Sequence, residues 1–265
     1  MFFNGKVVWI TGASSGIGES LAYAFARRGV KLVLSARRVE ELQRVKAACH
    51  LADENVIILP LDVSDTTSIP AQAKAVYDRF GQVDILINNA GVSHWTKVKD
   101  LSLEVIDKIF NVNFFGGIAL TKAVLPKMLE SKRGYIVVIS SVLGKMVVQK
   151  QAAYNASKHA LQGFYDTLRL EVAADGVNVL LVCPGFVRTN VAKNSLNKDG
   201  EAINKDNDKI LNGLDPNYVA DEVLKAIEKN RDEIVLAGRL ERSAILLKRL
   251  APALFARMMR KRKML

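Results

Sequence analysis

Short apolar runs punctuate this chain at 6–11, 31–35, 56–59, 84–88, 134–140, 178–183 and 233–236. They are rich in Val, Ile and Leu and carry little polar alternation, as strands covered on both faces do. Between them lie longer stretches, 19–26, 71–80 and 152–173 among them, in which apolar residues return at the helical period. Strand alternating with helix predicts βαβ units with right-handed crossovers, and therefore an α/β fold built on a doubly wound parallel sheet with helices on both faces. No internal repeat or low-complexity tract interrupts the pattern.

The first strand, Lys6-Val7-Val8-Trp9-Ile10-Thr11, runs straight into Gly12-Ala13-Ser14-Ser15-Gly16-Ile17-Gly18 and then into a helical stretch. Strand, glycine-rich turn and helix together form a phosphate cradle, because glycine permits close backbone approach and a helix N-terminus offers unpaired N–H groups. A plain glycine-rich turn is the alternative. The second strand ends at Ala36-Arg37-Arg38. An acid here would bind a ribose 2′-hydroxyl, whereas arginine suits a 2′-phosphate, so NADP(H) is preferred over NAD(H). The competing reading is that both arginines only open an exposed helix.

The next strand ends deliver Leu61-Asp62-Val63, Asn88-Asn89-Ala90-Gly91 and Ser140-Ser141. Ligands of open parallel sheets sit at such C-terminal strand ends, and Ser141 could hold a substrate oxygen there, although serine also ends strands as a turn former. Ser141 lies outside any Gly-x-Ser-x-Gly elbow, which argues against a hydrolase. Tyr154 and Lys158 stand four residues apart on a predicted helix, so they share a face. An ammonium beside a phenol favours the phenolate, which makes Tyr154 a candidate proton donor and acceptor.

In order and spacing, Thr11-Gly12-x-x-x-Gly16-x-Gly18, Asn88-Asn89-Ala90-Gly91, Asn113, Ser141, Tyr154-x-x-x-Lys158 and Pro184-Gly185 resemble the short-chain dehydrogenase/reductase family. The resemblance covers roughly residues 5–236. It implies a Rossmann fold with a seven-stranded sheet in the order 3-2-1-4-5-6-7. It also implies a tetrad of Tyr154 as general acid/base, Lys158 lowering its pKa and holding the nicotinamide ribose, Ser141 polarising the carbonyl, and Asn113 holding a relay water. Pro184, Gly185, Val187 and Thr189 resemble the segment that packs on the nicotinamide and phosphates, and Asp62 and Val63 the adenine contacts. The runs Val7-Val8-Trp9, Leu34-Ser35-Ala36-Arg37-Arg38-Val39, Leu59-Pro60-Leu61-Asp62 and Asn194-Ser195-Leu196 are similar to the dehydrogenase/reductase member 7 subgroup and its bacterial relatives. Members of that neighbourhood reduce lipophilic carbonyls such as steroids and retinoids, and the family implies a homodimer or homotetramer. Hydride transfer between nicotinamide and a carbonyl or secondary alcohol is the expected reaction, an oxidoreductase acting on CH–OH donors.

Composition changes this picture at one place. Residues 239–265 carry nine basic side chains against Glu241 alone, and so hold eight of the eleven net positive charges. Apolar residues run through the same tail, which reads either as a basic amphipathic contact with anionic lipid or as a segment packed on the protein or a partner subunit. The domain organisation expected is one oxidoreductase domain over 1–238, in which 186–216 is either a mobile lid or a long surface loop, followed by this tail. Nucleic-acid binding is not expected, since the tail lacks aromatic residues suited to base stacking. Cys49 and Cys183 do not form a disulfide framework, and His50, His94 and His159 lack ligand spacing, so no metal is expected. His94, Trp95 and Met146 are candidates either for the substrate pocket or for ordinary packing. With neither a signal-like start nor an uninterrupted apolar stretch of spanning length, the expected location is cytoplasmic, with peripheral membrane contact through the tail as an option.

Overall fold

A computed structural model describes residues 2–205 and 208–261. Seven strands, β1 (Val7–Thr11), β2 (Lys31–Ser35), β3 (Val56–Ile58), β4 (Ile85–Asn88), β5 (Gly134–Ile139), β6 (Val177–Pro184) and β7 (Glu233–Leu236), form one sheet in the order β3-β2-β1-β4-β5-β6-β7. Every pairing is parallel. The helices are α1 (Gly16–Ala26), α2 (Val39–Ala48), α3 (Ile69–Phe80), α4 (Leu103–Phe110), α5 (Gly116–Glu130), α6 (Ala152–Glu171), α7 (Asp208–Leu211), α8 (Pro216–Glu228), α9 (Arg239–Leu250) and α10 (Pro252–Lys261).

The period of two along β1 sends its side chains to two separate cores. Val8 and Ile10 pack with Leu21 and Phe25 of α1 and Val219 and Val223 of α8. Val7 and Trp9 face the other way, toward Leu120 and Val124 of α5 and Leu161 and Tyr165 of α6. Because both faces are covered, the strands are apolar throughout. The Trp9 indole keeps its one polar atom satisfied, with Nε1 donating to Ser35 Oγ at 2.9 Å. Local signals end the helices where the sheet needs them to end. Gly81, at φ 77°, closes α3, and Asp215 caps α8 by accepting the Asn217 N–H at 2.8 Å.

β1 lies between β2 and β4, and the chain winds away from it in opposite directions on either side. The loops after β1 and β4 therefore part, and a crevice opens at their carboxyl ends. All site residues are delivered to this edge of the sheet.

One expectation needs amendment. A π turn at Asn111–Phe115 joins α4 to α5 in one helical stretch, Leu103–Glu130, which by length and by an 18-residue window of mean hydropathy 1.3 is sufficient to cross a membrane. Its packing has another character. Leu120, Val124 and Met128 lie in the core beneath the sheet, and the Asn113 side chain is bonded to the loop after β4.

In the tail, α9 and α10 fold back on the protein. Phe255, buried at 5% exposure, packs with Val142 and Met146 of the segment after Ser141. Residues 262–265, which include Arg262 and Lys263, and position 207 of the expected lid lie outside the described residues.

Candidate active site

Two loops are stitched together at the crevice. Thr11 Oγ1 donates to Ile87 O at 3.1 Å and accepts the N–H groups of Asn89 and Ala90 at 3.0 and 3.1 Å. Asn89 Nδ2 returns the tie by donating to Thr11 O at 2.9 Å and Gly12 O at 3.2 Å. This closeness is why Gly12 is glycine. It sits at φ 64°, and a Cβ there would lie 2.9 Å from Asn89 Nδ2 and 3.0 Å from Ala90 Cα.

A cavity of about 540 Å³ follows the crevice. At its nucleotide end lie Gly12, Ser14, Ser15, Gly16 and Ile17, leading into the N-terminus of α1, where Ser15 makes no side-chain cap. Those first-turn N–H groups are available to an anion. Arg38 Nη2 donates to Ser14 Oγ at 3.1 Å and Ser15 Oγ at 3.2 Å, which brings a guanidinium onto the glycine-rich loop. Arg37 stands 3.9 Å from Asp62. Arg37, Arg38, Asp62, Val63, Asn89, Ala90 and Gly91 line the same cavity, as do Pro184, Gly185, Val187 and Thr189. Shape, anion donors and positive charge together fit a dinucleotide.

At the far end, Ser141, Tyr154 and Lys158 meet. The end of β5 positions Ser141, whose Oγ accepts the Leu143 N–H at 3.1 Å and so also caps the following turn. One face of α6 presents Tyr154 and Lys158, with Lys158 Nζ 5.6 Å from the Tyr154 ring centroid. Lys158 is 4% exposed, and its ammonium donates to Ile139 O at 2.9 Å.

The protonation pattern differs from the expectation of a phenol acidified by its neighbour. Burial pushes Tyr154 up to about 12, and only the Ser141 hydroxyl pulls it back. Burial also pulls Lys158 down, to about 8. The protein alone therefore disfavours both charged forms, because desolvation outweighs the attraction at this separation.

Asn113 and Gly18 are the two predicted site residues outside the cavity lining. The Asn113 amide is spent on structure: Nδ2 donates to Val92 O at 2.9 Å and Ser157 Oγ at 3.1 Å, and Oδ1 accepts the Val92 N–H at 2.8 Å. Any water held by this residue would have to use its backbone carbonyl, within the π turn. Gly18 is a packing position, since a Cβ would lie 2.2 Å from Gly12 O. His94, Trp95 and Met146 do not line the cavity either. Val92, Lys108, Val112, Val191, Leu196 and Ala202 do, and sequence reasoning did not single them out as wall residues. They come from the loop after β4, from α4 and the π turn that follows it, and from the segment after β6, and no local motif announces that these stretches meet.

The model of the short chain dehydrogenase family matches residues 6–200. The chain belongs to the short-chain dehydrogenase/reductase family, whose members are oxidoreductases. Within it, the chain falls in the dehydrogenase/reductase member 7 subgroup. It is 44% identical over 264 residues to a dehydrogenase/reductase SDR family protein 7-like from Anopheles gambiae, covering 98% of this chain and 83% of that protein. Among solved structures, a short-chain dehydrogenase/reductase from Burkholderia phymatum in complex with NAD matches at 29% identity and TM-score 0.86, over 96% of each chain. A metagenomic short-chain oxidoreductase in complex with NADP matches at 30% identity and TM-score 0.74, over 89% of this chain and 99% of that one. A nicotinamide cofactor is thus common ground.

The buried ammonium has a measurable signature. With its pKa at about 8 in the folded protein and 10.5 as reference, Lys158 carries its full desolvation penalty below about pH 8. Between those values the folded lysine is neutral while the unfolded one still binds a proton, so stability rises with pH. Relative to Lys158→Met, the nucleotide-free wild type should gain up to about 3 kcal/mol between about pH 7 and pH 10.5. Urea unfolding of both proteins across this range measures the gain. A pH-independent difference would mean that the ammonium is not desolvated.

Proposed function

We propose that this chain is an NADP(H)-preferring enzyme that interconverts a carbonyl and a secondary alcohol on an apolar substrate. The observation that carries the reading is that the hydroxyls of Ser141 and Tyr154 and the buried Lys158 share one cavity with the glycine-rich loop. When bound, the nicotinamide supplies or accepts the hydride. Ser141 and Tyr154 hold the carbonyl oxygen, and Tyr154 gives its proton as negative charge grows there. A phenol near 12 still suffices, because an aliphatic alkoxide is a stronger base than a phenolate. Lys158 then steadies the phenolate left behind, and an Asn113 carbonyl holding a water would reload it.

The preference for NADP(H) is supported by Arg38 on Ser14 and Ser15, with Arg37 beside it. An apolar substrate is supported by Val92, Val112, Val191, Leu196 and Ala202 in the wall, where Lys108 is the charged residue beside them. The segment at 186–216 supplies Val191, Leu196 and Ala202 of that wall and acts as a lid over the substrate end. Exposed Leu103 and Phe115 on the helical stretch with Asn113, and Leu170 on α6, suit a homodimer or homotetramer.

The tail adds a second contact. Its inner face packs on Val142 and Met146, but Leu246, Leu250, Leu254 and Met258 stand exposed at intervals of four residues. Arg249 and Arg257 are interleaved with them. Apolar groups among cations match an anionic lipid surface, and docking there would bring the cavity to lipophilic substrates.

Four outcomes test this reading. A panel of apolar ketones and aldehydes, followed at the nicotinamide absorbance, should show turnover with NADPH. Tyr154→Phe should lower kcat at least a hundredfold while NADPH binding stays within about twofold; retained turnover removes Tyr154 from the chemistry. Arg38→Ala should raise KM for NADPH at least tenfold and leave KM for NADH unchanged, as loss of a charge-assisted phosphate contact requires. Vesicles containing phosphatidylglycerol should carry the protein in flotation at low salt, phosphatidylcholine alone should not, and Arg249→Glu with Arg257→Glu should abolish the effect. Equal flotation with both lipids would sink the electrostatic contact.

A further inference from the structure

Beyond the Asn88-Asn89-Ala90-Gly91 turn, the backbone of Ser93, His94 and Trp95 runs beside Leu196. Leu196 N donates to Ser93 O at 2.8 Å, and Trp95 N donates to Leu196 O at 3.0 Å. His94, between these two bonds, is fully buried at 0% exposure. Its Nε2 accepts the backbone N–H of Ala153 at 3.1 Å.

Ala153 lies in the first turn of α6, one residue ahead of Tyr154. First-turn N–H groups have no partner inside their own helix, and Gln151, at the cap position, supplies none from its side chain. The cap comes instead from an imidazole 59 residues away in sequence. Accepting at Nε2 places the ring proton on Nδ1, and Nδ1 is buried without a partner among the described residues. A buried N–H left unpaired is destabilising, by about 1–3 kcal/mol. A leucine or phenylalanine would fill the same space but orphan the Ala153 N–H in its turn, so the histidine is there for the bond it accepts and not for packing alone. Burial also pulls the imidazole down to about 4, which keeps the Nε2 lone pair free at neutral pH.

We propose that His94 is a positioning residue: by capping α6 at Ala153 it sets the aim of the Tyr154 hydroxyl, and by its backbone pairing with Leu196 it ties that aim to the segment closing the substrate end. This rests on the carbonyl–alcohol reading above, since it concerns the placement of the proton donor in that reaction. Leu196 lines the cavity while His94 does not. His94 thus touches no substrate or cofactor and acts through Tyr154. A displacement of the hydroxyl by a fraction of an ångström is enough to slow proton transfer severalfold or more.

The experiment compares His94→Leu and His94→Gln with wild type, using NADPH and an apolar ketone from the panel. The glutamine carbonyl can stand near the place of Nε2 and accept the Ala153 N–H, whereas leucine cannot. The expected result is a fall in kcat of about tenfold or more in His94→Leu, with the NADPH dissociation constant within about twofold of wild type and the melting midpoint close to wild type, since one unpaired buried N–H replaces another. His94→Gln recovers most of the lost kcat. His94→Phe repeats the measurement with a flat ring should His94→Leu not fold. The proposal is overturned if kcat in His94→Leu stays near wild type. It is equally overturned if leucine and glutamine behave alike, if kcat, NADPH affinity and melting fall together, or if neither apolar variant folds while His94→Gln does. Absence of turnover in the wild type would instead count against the reaction itself.

Discussion

An ammonium almost wholly removed from water, held by one backbone carbonyl at the end of β5, is the constraint around which the active end is organised. Lys158 can stay there only because Ile139 O accepts from it and because α6 and β5 hold it rigidly. Desolvation works against its charge and against ionisation of Tyr154 together. At neutral pH Tyr154 therefore stays protonated, while Lys158, at about 8, keeps its charge against the cost of burial. A preorganised cation that is underused in the resting protein stabilises most where charge develops, and this is the condition for selective stabilisation of a transition state.

The sheet makes this arrangement affordable in conformational terms. The order β3-β2-β1-β4-β5-β6-β7 parts the loops after β1 and β4, and the Thr11–Asn89 bonds then hold the edges of the opening at a set distance. Packing of Val8 and Ile10 on one side and Val7 and Trp9 on the other clamps the floor beneath. The chemistry is on loops and helix ends, while the rigidity comes from strands buried on both faces.

The strands are legible in the sequence because a parallel strand covered on both sides leaves a continuous apolar run; 31–35 and 233–236 coincide with β2 and β7. The nucleotide end is legible for a related reason, since glycines, arginines and asparagines there act through neighbours close in sequence or through a turn with a recognisable pattern. The substrate wall is not. Val92, Lys108, Leu196 and Ala202 are ordinary residues in their own stretches, and only the tertiary fold brings them together. The protonation of Tyr154 was misjudged for the same reason. Spacing on a helix reports which residues are neighbours, whereas desolvation depends on everything packed around them. The bond from the Ala153 N–H to His94 is not legible either, because a backbone partner leaves no trace in side-chain composition.

The segment after β6 has a narrow neck. Val187 pairs with Leu214, Leu214 N donates to Phe186 O at 2.8 Å, and Arg188 N donates to Leu214 O at 2.9 Å. With entry and exit fastened to each other, the enclosed stretch is topologically an appendage, and closure entropy changes only slowly with the length of such a loop. Divergence across most of that stretch would leave the glycine-rich floor in place, whereas a change at Leu196 would be felt through His94 at the start of α6.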